Sequence, residues 1–126
     1  MAAAILRVLT QQEASDCGVV ALAMYLGLEY TDVLRAVTIA DRRQGKLGLW
    51  TKTMQRVAAR LGHPLRMRKQ IDVEADYGIL RLPEHCVVLR NGLAFDNGLV
   101  WDLDAYLSDQ GVTLHDCQIL VTHDNA

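Results

Sequence analysis

An α+β fold is predicted by three observations. Helical signals fill the first half of the chain, strand signals fill the second, and the switch falls at one place, Gly62-His63-Pro64. Helices grouped ahead of short strands with tight turns pack as a helical layer on an antiparallel sheet; a parallel sheet would need the two to alternate. No repeat or low-complexity stretch interrupts this order, and only Pro64 and Pro83 punctuate it.

The elements follow in order. Residues 1–10 read as an extended lead-in. From Cys17 to Leu26 nearly every position is apolar, and a helix apolar all round must be buried. Ser15 and Asp16 before it are N-cap types, and Gly27 suits its C-cap. Thr31 is expected to cap a second helix with Val33, Leu34 and Val37 on one side. A glycine-containing loop spans 44–48. Leu47, Trp50, Met54, Val57, Ala58 and Leu61 then recur at spacings of three and four, a helical stripe that Gly62 ends and Pro64 keeps from continuing. Beyond it, Leu65, Met67 and Lys69 alternate with Arg66, Arg68 and Gln70, a half-exposed strand. Tyr77 to Leu82 is a second strand. His85 to Arg90 is a third, apolar enough to be central. Asn91-Gly92 is a hairpin signal that returns the chain as Leu93 to Asp96, and Asn97-Gly98 marks another turn. Leu103 to Leu107 reads as a short helix capped by Asp102, and Cys117 to Val121 as the last strand.

The chain has 126 residues, the size of one domain spanning 1–126. Its 51 % hydrophobic and 22 % charged residues are globular composition. A net charge of −2 excludes electrostatic nucleic-acid binding and gives no pull toward anionic membranes. The longest apolar run, Val19 to Leu26, falls far short of the ~20 residues of a membrane span, and the N-terminus has no basic segment of a signal peptide. These features lead to the expectation of a cytoplasmic protein without membrane insertion. Three cysteines, Cys17, Cys86 and Cys117, cannot all pair, so free thiols are expected.

Cys17 sits where the first buried helix begins. Free N–H groups and a partial positive charge at that end favour a thiolate, the attacking form of a cysteine nucleophile. Such a nucleophile needs a base, usually His, and often a third group orienting it. Of His63, His85, His115 and His123, only His85 opens a central strand. If Asn91-Gly92 is a two-residue turn, Arg90 faces Leu93 and Val87 faces Asp96, which puts Asp96 and His85 on one sheet face as diagonal neighbours roughly 5–8 Å apart. Asp102, seventeen residues after His85, is the competing acid and is better read as a helix cap. His115, Cys117 and His123 lack a paired metal-ligand spacing, so no metal and no cofactor are expected. Arg66, Arg68 and Lys69 read as a solvated stripe. Cys86 reads as core, and Trp50 and Trp101 as core or as walls of a peptide groove.

The segment Gln11-Gln12-Glu13-Ala14-Ser15-Asp16-Cys17-Gly18 closely resembles the active-site opening of the double-glycine leader peptidases, papain-like cysteine peptidases attached to bacteriocin exporters. Their pattern has Gln six residues before the Cys, an acid immediately before it and Gly immediately after; here these are Gln11, Asp16 and Gly18. Gly48-Leu49-Trp50 to Gly62 is similar to the family's glycine turn and following helix. His85-Cys86-Val87-Val88-Leu89 is similar to its His strand, Leu93 to Asp96 to its Asp strand, and Asp102 to Leu107 to its late short helix. The sequence departs from the pattern after the acid, where Asn97 replaces the usual Pro, and in its short His-to-Asp hairpin.

The resemblance implies a papain-like fold of N-terminal helices on a C-terminal antiparallel sheet. It implies Cys17 as nucleophile, His85 as general base, Asp96 as orienting acid, and Gln11 as an oxyanion donor beside the Cys17 N–H. The implied activity is cleavage of a peptide or amide bond through a thioester, with a peptide or protein as partner and a leader ending in two small residues, typically Gly-Gly, as its type. The alternative is a binding or structural module with little or no turnover inside a larger assembly, such as a secretion apparatus or a phage particle.

Overall fold

The computed structural model describes residues 16–41 and 51–123. The lead-in, Gln11, the 44–48 loop, Leu47 and Trp50 lie outside them. The described chain is α+β, with the expected segregation. Helices α1 (Cys17–Leu26), α2 (Tyr30–Ala36) and α3 (Thr51–Arg60) come first, then strands β1 (Leu65–Arg68), β2 (Tyr77–Leu82), β3 (His85–Arg90), β4 (Leu93–Asp96) and β5 (Leu99–Asp102). Helix α4 (Leu103–Gln110) and strand β6 (Gln118–Thr122) complete it. The strands form one antiparallel sheet ordered β1-β6-β2-β3-β4-β5, so the apolar β3 is interior as its composition requires.

Helix α1 buries Gly18 through Tyr25 and lies across β3, the outcome expected of a helix with no polar face. Gly27, at φ 68°, ends it in the left-handed conformation. Its far end is tied to the sheet: the Thr122 N–H donates to the Tyr25 hydroxyl at 2.9 Å, and the Tyr25 ring meets that of Tyr77 edge-on at 4.8 Å. In α3, Met54, Val57 and Ala58 of the expected stripe are buried.

Several details differ from expectation: α4 runs on past Leu107 to Gln110, and β6 covers Gln118–Thr122, one residue after the expected Cys117 to Val121. Helix α2 starts at Tyr30, with Glu29 and not Thr31 at its N-cap. Strand β5 was not foreseen: Asn97-Gly98 is a second two-residue turn with both φ values positive, and it folds Leu99–Asp102 back on β4. The basic stripe is not simply solvated, because Arg68 forks onto Asp76 with contacts of 2.8 and 3.2 Å and Lys69 donates to the His115 carbonyl.

Two cores result, one on each sheet face. Cys86 and Val88 of β3 point into the core shared with α1, α2 and α3. Val87 and Leu89 point into the core shared with α4. No single described helix is long and apolar enough to cross a membrane.

Candidate active site

The first turn of α1 supplies Cys17. The helix leaves its first N–H groups unused by its own ladder, and its dipole is positive there. Asp16 occupies the N-cap position but does not cap. Its buried carboxylate accepts from the Tyr30 hydroxyl at 2.8 Å, which ties the start of α1 to α2.

His85 opens β3. Across the hairpin, Arg90 pairs with Leu93 and Val88 with Phe95, the register expected of a two-residue turn at Asn91-Gly92, where both φ values are positive. Alternation then sets Asp96 on the face of His85, and the His85 Nε2 meets Asp96 Oδ1 at 2.7 Å. With Nε2 so engaged, Nδ1 is the nitrogen left for Cys17, which interacts electrostatically with the ring. Asp102, the competing acid, is a helix cap: its carboxylate accepts from the Ala105 N–H at 3.1 Å.

Two members of the cluster were missed. The Tyr106 hydroxyl on α4 donates to Asp96 Oδ2 at 2.8 Å, so both carboxylate oxygens are bonded. The Tyr106 ring is buried and packs edge-on to Trp101 at 5.8 Å, which places Trp101 in the α4 core. A tyrosine on the inward stripe Leu103, Tyr106, Leu107 needs a hydroxyl partner, and that need was the readable signal. Cys86, read as plain core, lines one small hollow together with Cys17 and is the largest influence on its thiol. Alternation from His85 turns it toward α1, which again could have been read.

The electrostatics follow from these contacts. The hydrogen bond from the Cys86 thiol is the largest influence on Cys17; burial opposes it, His85 adds to it, and the Cys17 thiol is lowered to about 4. His85 is raised to about 10, first by the hydrogen bond to Asp96 and then by Cys17, against burial. The pair is therefore a thiolate and an imidazolium over the range between. Burial pushes Asp96 up, but its bonds to His85 and Tyr106 outweigh that and hold it below its ordinary value. Cys86 moves the other way, pushed well above a normal thiol by Cys17 and by burial.

A small hollow of about 10 Å³ opens beside Cys17, roughly the room for one water-sized centre. Val20 and Met24, one and two turns down α1, line it with Cys86, Phe95 and Asp96. The histidine and cysteine near the C-terminus do not join the site. His115 lies in the turn before β6 and not on a strand face with Cys117, and the Cys117 thiol is buried in the α4 core, 3.5 Å from the Thr113 carbonyl. Among the described residues no three His, Cys, Asp or Glu side chains form a metal-holding group.

A partly accessible Cys–His–Asp line at a helix N-terminus is equipped for nucleophilic acyl transfer. Compared with known proteins, the chain matches no family model, no curated protein and no solved structure.

Proposed function

We propose that this chain is a papain-like cysteine peptidase that cuts a peptide or amide bond, with peptides carrying a Gly-Gly-type leader as the substrate class its sequence resemblance favours. The single observation that carries the reading is the grouping of Cys17, His85 and Asp96, in which the carboxylate holds one ring nitrogen at 2.7 Å and the thiol and the imidazole each shift the other's titration. In this reaction the Cys17 thiolate attacks the carbonyl carbon. His85 gives its proton to the leaving amine, and a thioester to Cys17 remains. Water then attacks the thioester while His85 takes up its proton. Asp96 keeps the imidazole oriented and stabilises its charged form. The Cys17 N–H faces the developing oxyanion in this scheme, with Gln11, which lies outside the described residues, assigned beside it by resemblance alone.

The test combines labelling and cleavage. Iodoacetamide at neutral pH should modify Cys17 far faster than Cys86 or Cys117, and peptides with a leader ending in two small residues should be cut after that pair. Equal, slow labelling of all three thiols, with no cleavage, would favour the binding or structural module of a larger assembly.

A further inference from the structure

Cys86 has no step in the peptidase reaction, yet it lines the same hollow as the nucleophile and is the largest influence on its thiol. It stands on β3, is only 2 % exposed, and borders the same small hollow as Cys17. Both thiols are free. The third cysteine, Cys117, belongs to the core on the opposite sheet face and cannot compete for either. Across the β2–β3 ladder, Arg81 is the direct partner of Cys86 and interacts with its sulfur.

We propose that Cys17 and Cys86 form a peroxide-responsive pair, in which Cys17 is the oxidised thiol and Cys86 the one that resolves it into a reversible disulfide. In the first step the Cys17 thiolate attacks one oxygen of hydrogen peroxide. The O–O bond breaks, the sulfur becomes a sulfenic acid, and the second oxygen leaves as hydroxide and takes up a proton to become water. In the second step the Cys86 thiolate attacks the Cys17 sulfur. The S–S bond forms, the S–O bond breaks, and the oxygen leaves as hydroxide, which the proton shed by Cys86 converts to water. Two electrons pass from the two thiols to the peroxide, and the disulfide is returned to thiols by a dithiol reductant.

The site sets the order of these steps. While Cys17 is a thiolate, its interaction with Cys86 is the largest influence keeping Cys86 protonated, burial comes next, and the negative charge of Cys17 adds to them. Oxidation of Cys17 to a neutral sulfenic acid removes that negative charge. The Arg81 guanidinium remains, and it favours the Cys86 thiolate. Cys86 is thus inert until Cys17 has been oxidised and becomes the stronger nucleophile afterward. Both thiols border the small hollow, but Cys17 is partly exposed and Cys86 is only 2 % exposed, so a peroxide meets Cys17 first.

The test needs no peptide substrate, so it stands or falls separately from the peptidase reading. The reduced full chain is treated with a few equivalents of hydrogen peroxide, its remaining thiols are blocked, and it is mapped by mass spectrometry. The expected wild-type product has lost two hydrogens, joins the Cys17 and Cys86 peptides, and regains nearly all Cys17 labelling after dithiothreitol. In Cys86→Ala, and in Cys86→Ser as a second variant, Cys17 should instead gain two or three oxygens and stay unlabelled after reduction. Wild-type protein that accumulates oxygens on Cys17 without the joined peptide, or that bridges to Cys117, overturns the proposal, and that map decides even if neither variant folds.

Discussion

The two faces of the sheet hold their parts of the site by different physics. On the α1 face, Cys17 is placed by a helix that is apolar on every side, so its position depends on close packing of Val19, Val20, Leu22 and their neighbours against β3. On the α4 face, His85 is placed by hydrogen bonds that converge on Asp96, whose carboxylate accepts from the Tyr106 hydroxyl at 2.8 Å and from the imidazole at 2.7 Å. Packing of the first kind barely registers the loss of one polar atom. An arrangement of the second kind responds to each member in turn, because every removed donor or acceptor leaves its partner part-buried and unsatisfied. Substitutions on the α1 side should therefore separate chemistry from stability, and substitutions on the α4 side should mix them.

The largest effect belongs to Cys17→Ala. It removes the thiol that interacts with His85, so both turnover and fast alkylation should vanish. Thermal unfolding should report a loss of no more than about 1 kcal/mol, since the truncation is small and the surrounding helix packs through other residues. Full activity in this variant would remove the peptidase reading altogether.

Asp96→Asn comes next. The fold should stand, because an amide can still meet both Tyr106 and His85. Asp96 is the first cause of the raised His85 value, so its loss lowers that value and weakens the imidazolium. We expect turnover at neutral pH to fall by about 10²-fold, the low end of what general acid–base catalysis supplies. The alkaline limb of the rate profile should move to lower pH.

The pH dependence of alkylation in the wild type is a sharper test of the pair itself. Cys17 is lowered to about 4, so the thiolate is lost only as pH falls through that value, and the rate should hold its plateau well below the ordinary thiol value of 9.0. With His85 raised to about 10, the imidazolium persists until pH rises through that value, where the rate should change again as the positive neighbour disappears. A single rise near the ordinary thiol value would show that Cys17 and His85 are not paired.

Tyr106→Phe should be milder. The ring and its packing on Trp101 survive, while Asp96 loses one of two donors. Its carboxyl value should rise, since that bond is among those holding it down. Turnover should drop several-fold, and stability by about 1 kcal/mol, the usual net contribution of one such bond.

Much of this contrast was legible in the sequence where it rested on local pattern. The bounds of α1, β2, β3 and β4 follow from apolar runs and from the Asn91-Gly92 turn, because each of these acts over a few neighbouring residues. The hairpin register, and with it the choice of Asp96, came from the same turn. What stayed hidden was set at long range. Strand β5 has only four residues, and its Leu99 and Val100 face solvent, so no buried stripe announces it. Tyr106 and Cys86 carried local signals, an inward hydroxyl and strand alternation, but which partners they meet is set between elements. Asp16 looked like a cap and is used instead by Tyr30, fourteen residues away.

The smallest effect on activity, and the best control, is Asp102→Asn. Asp102 ends β5 opposite Leu93 and caps α4 by accepting the Ala105 N–H at 3.1 Å. It is exposed, and the bonded partner of His85 is Asp96. Asn is itself a good N-cap, so this swap keeps the cap bond and should cost only a few tenths of a kcal/mol, whereas Asp102→Ala should cost about 1 kcal/mol of stability. Neither should change the His85 titration or the alkylation rate of Cys17. An Asp102→Asn variant that loses turnover while Asp96→Asn keeps it would mean that the hairpin pairs in another register. A one-residue slip there would carry Asp96 to the opposite face and break its 2.7 Å contact with the imidazole, so kinetics of these two variants also tests the strand pairing on which the site is built.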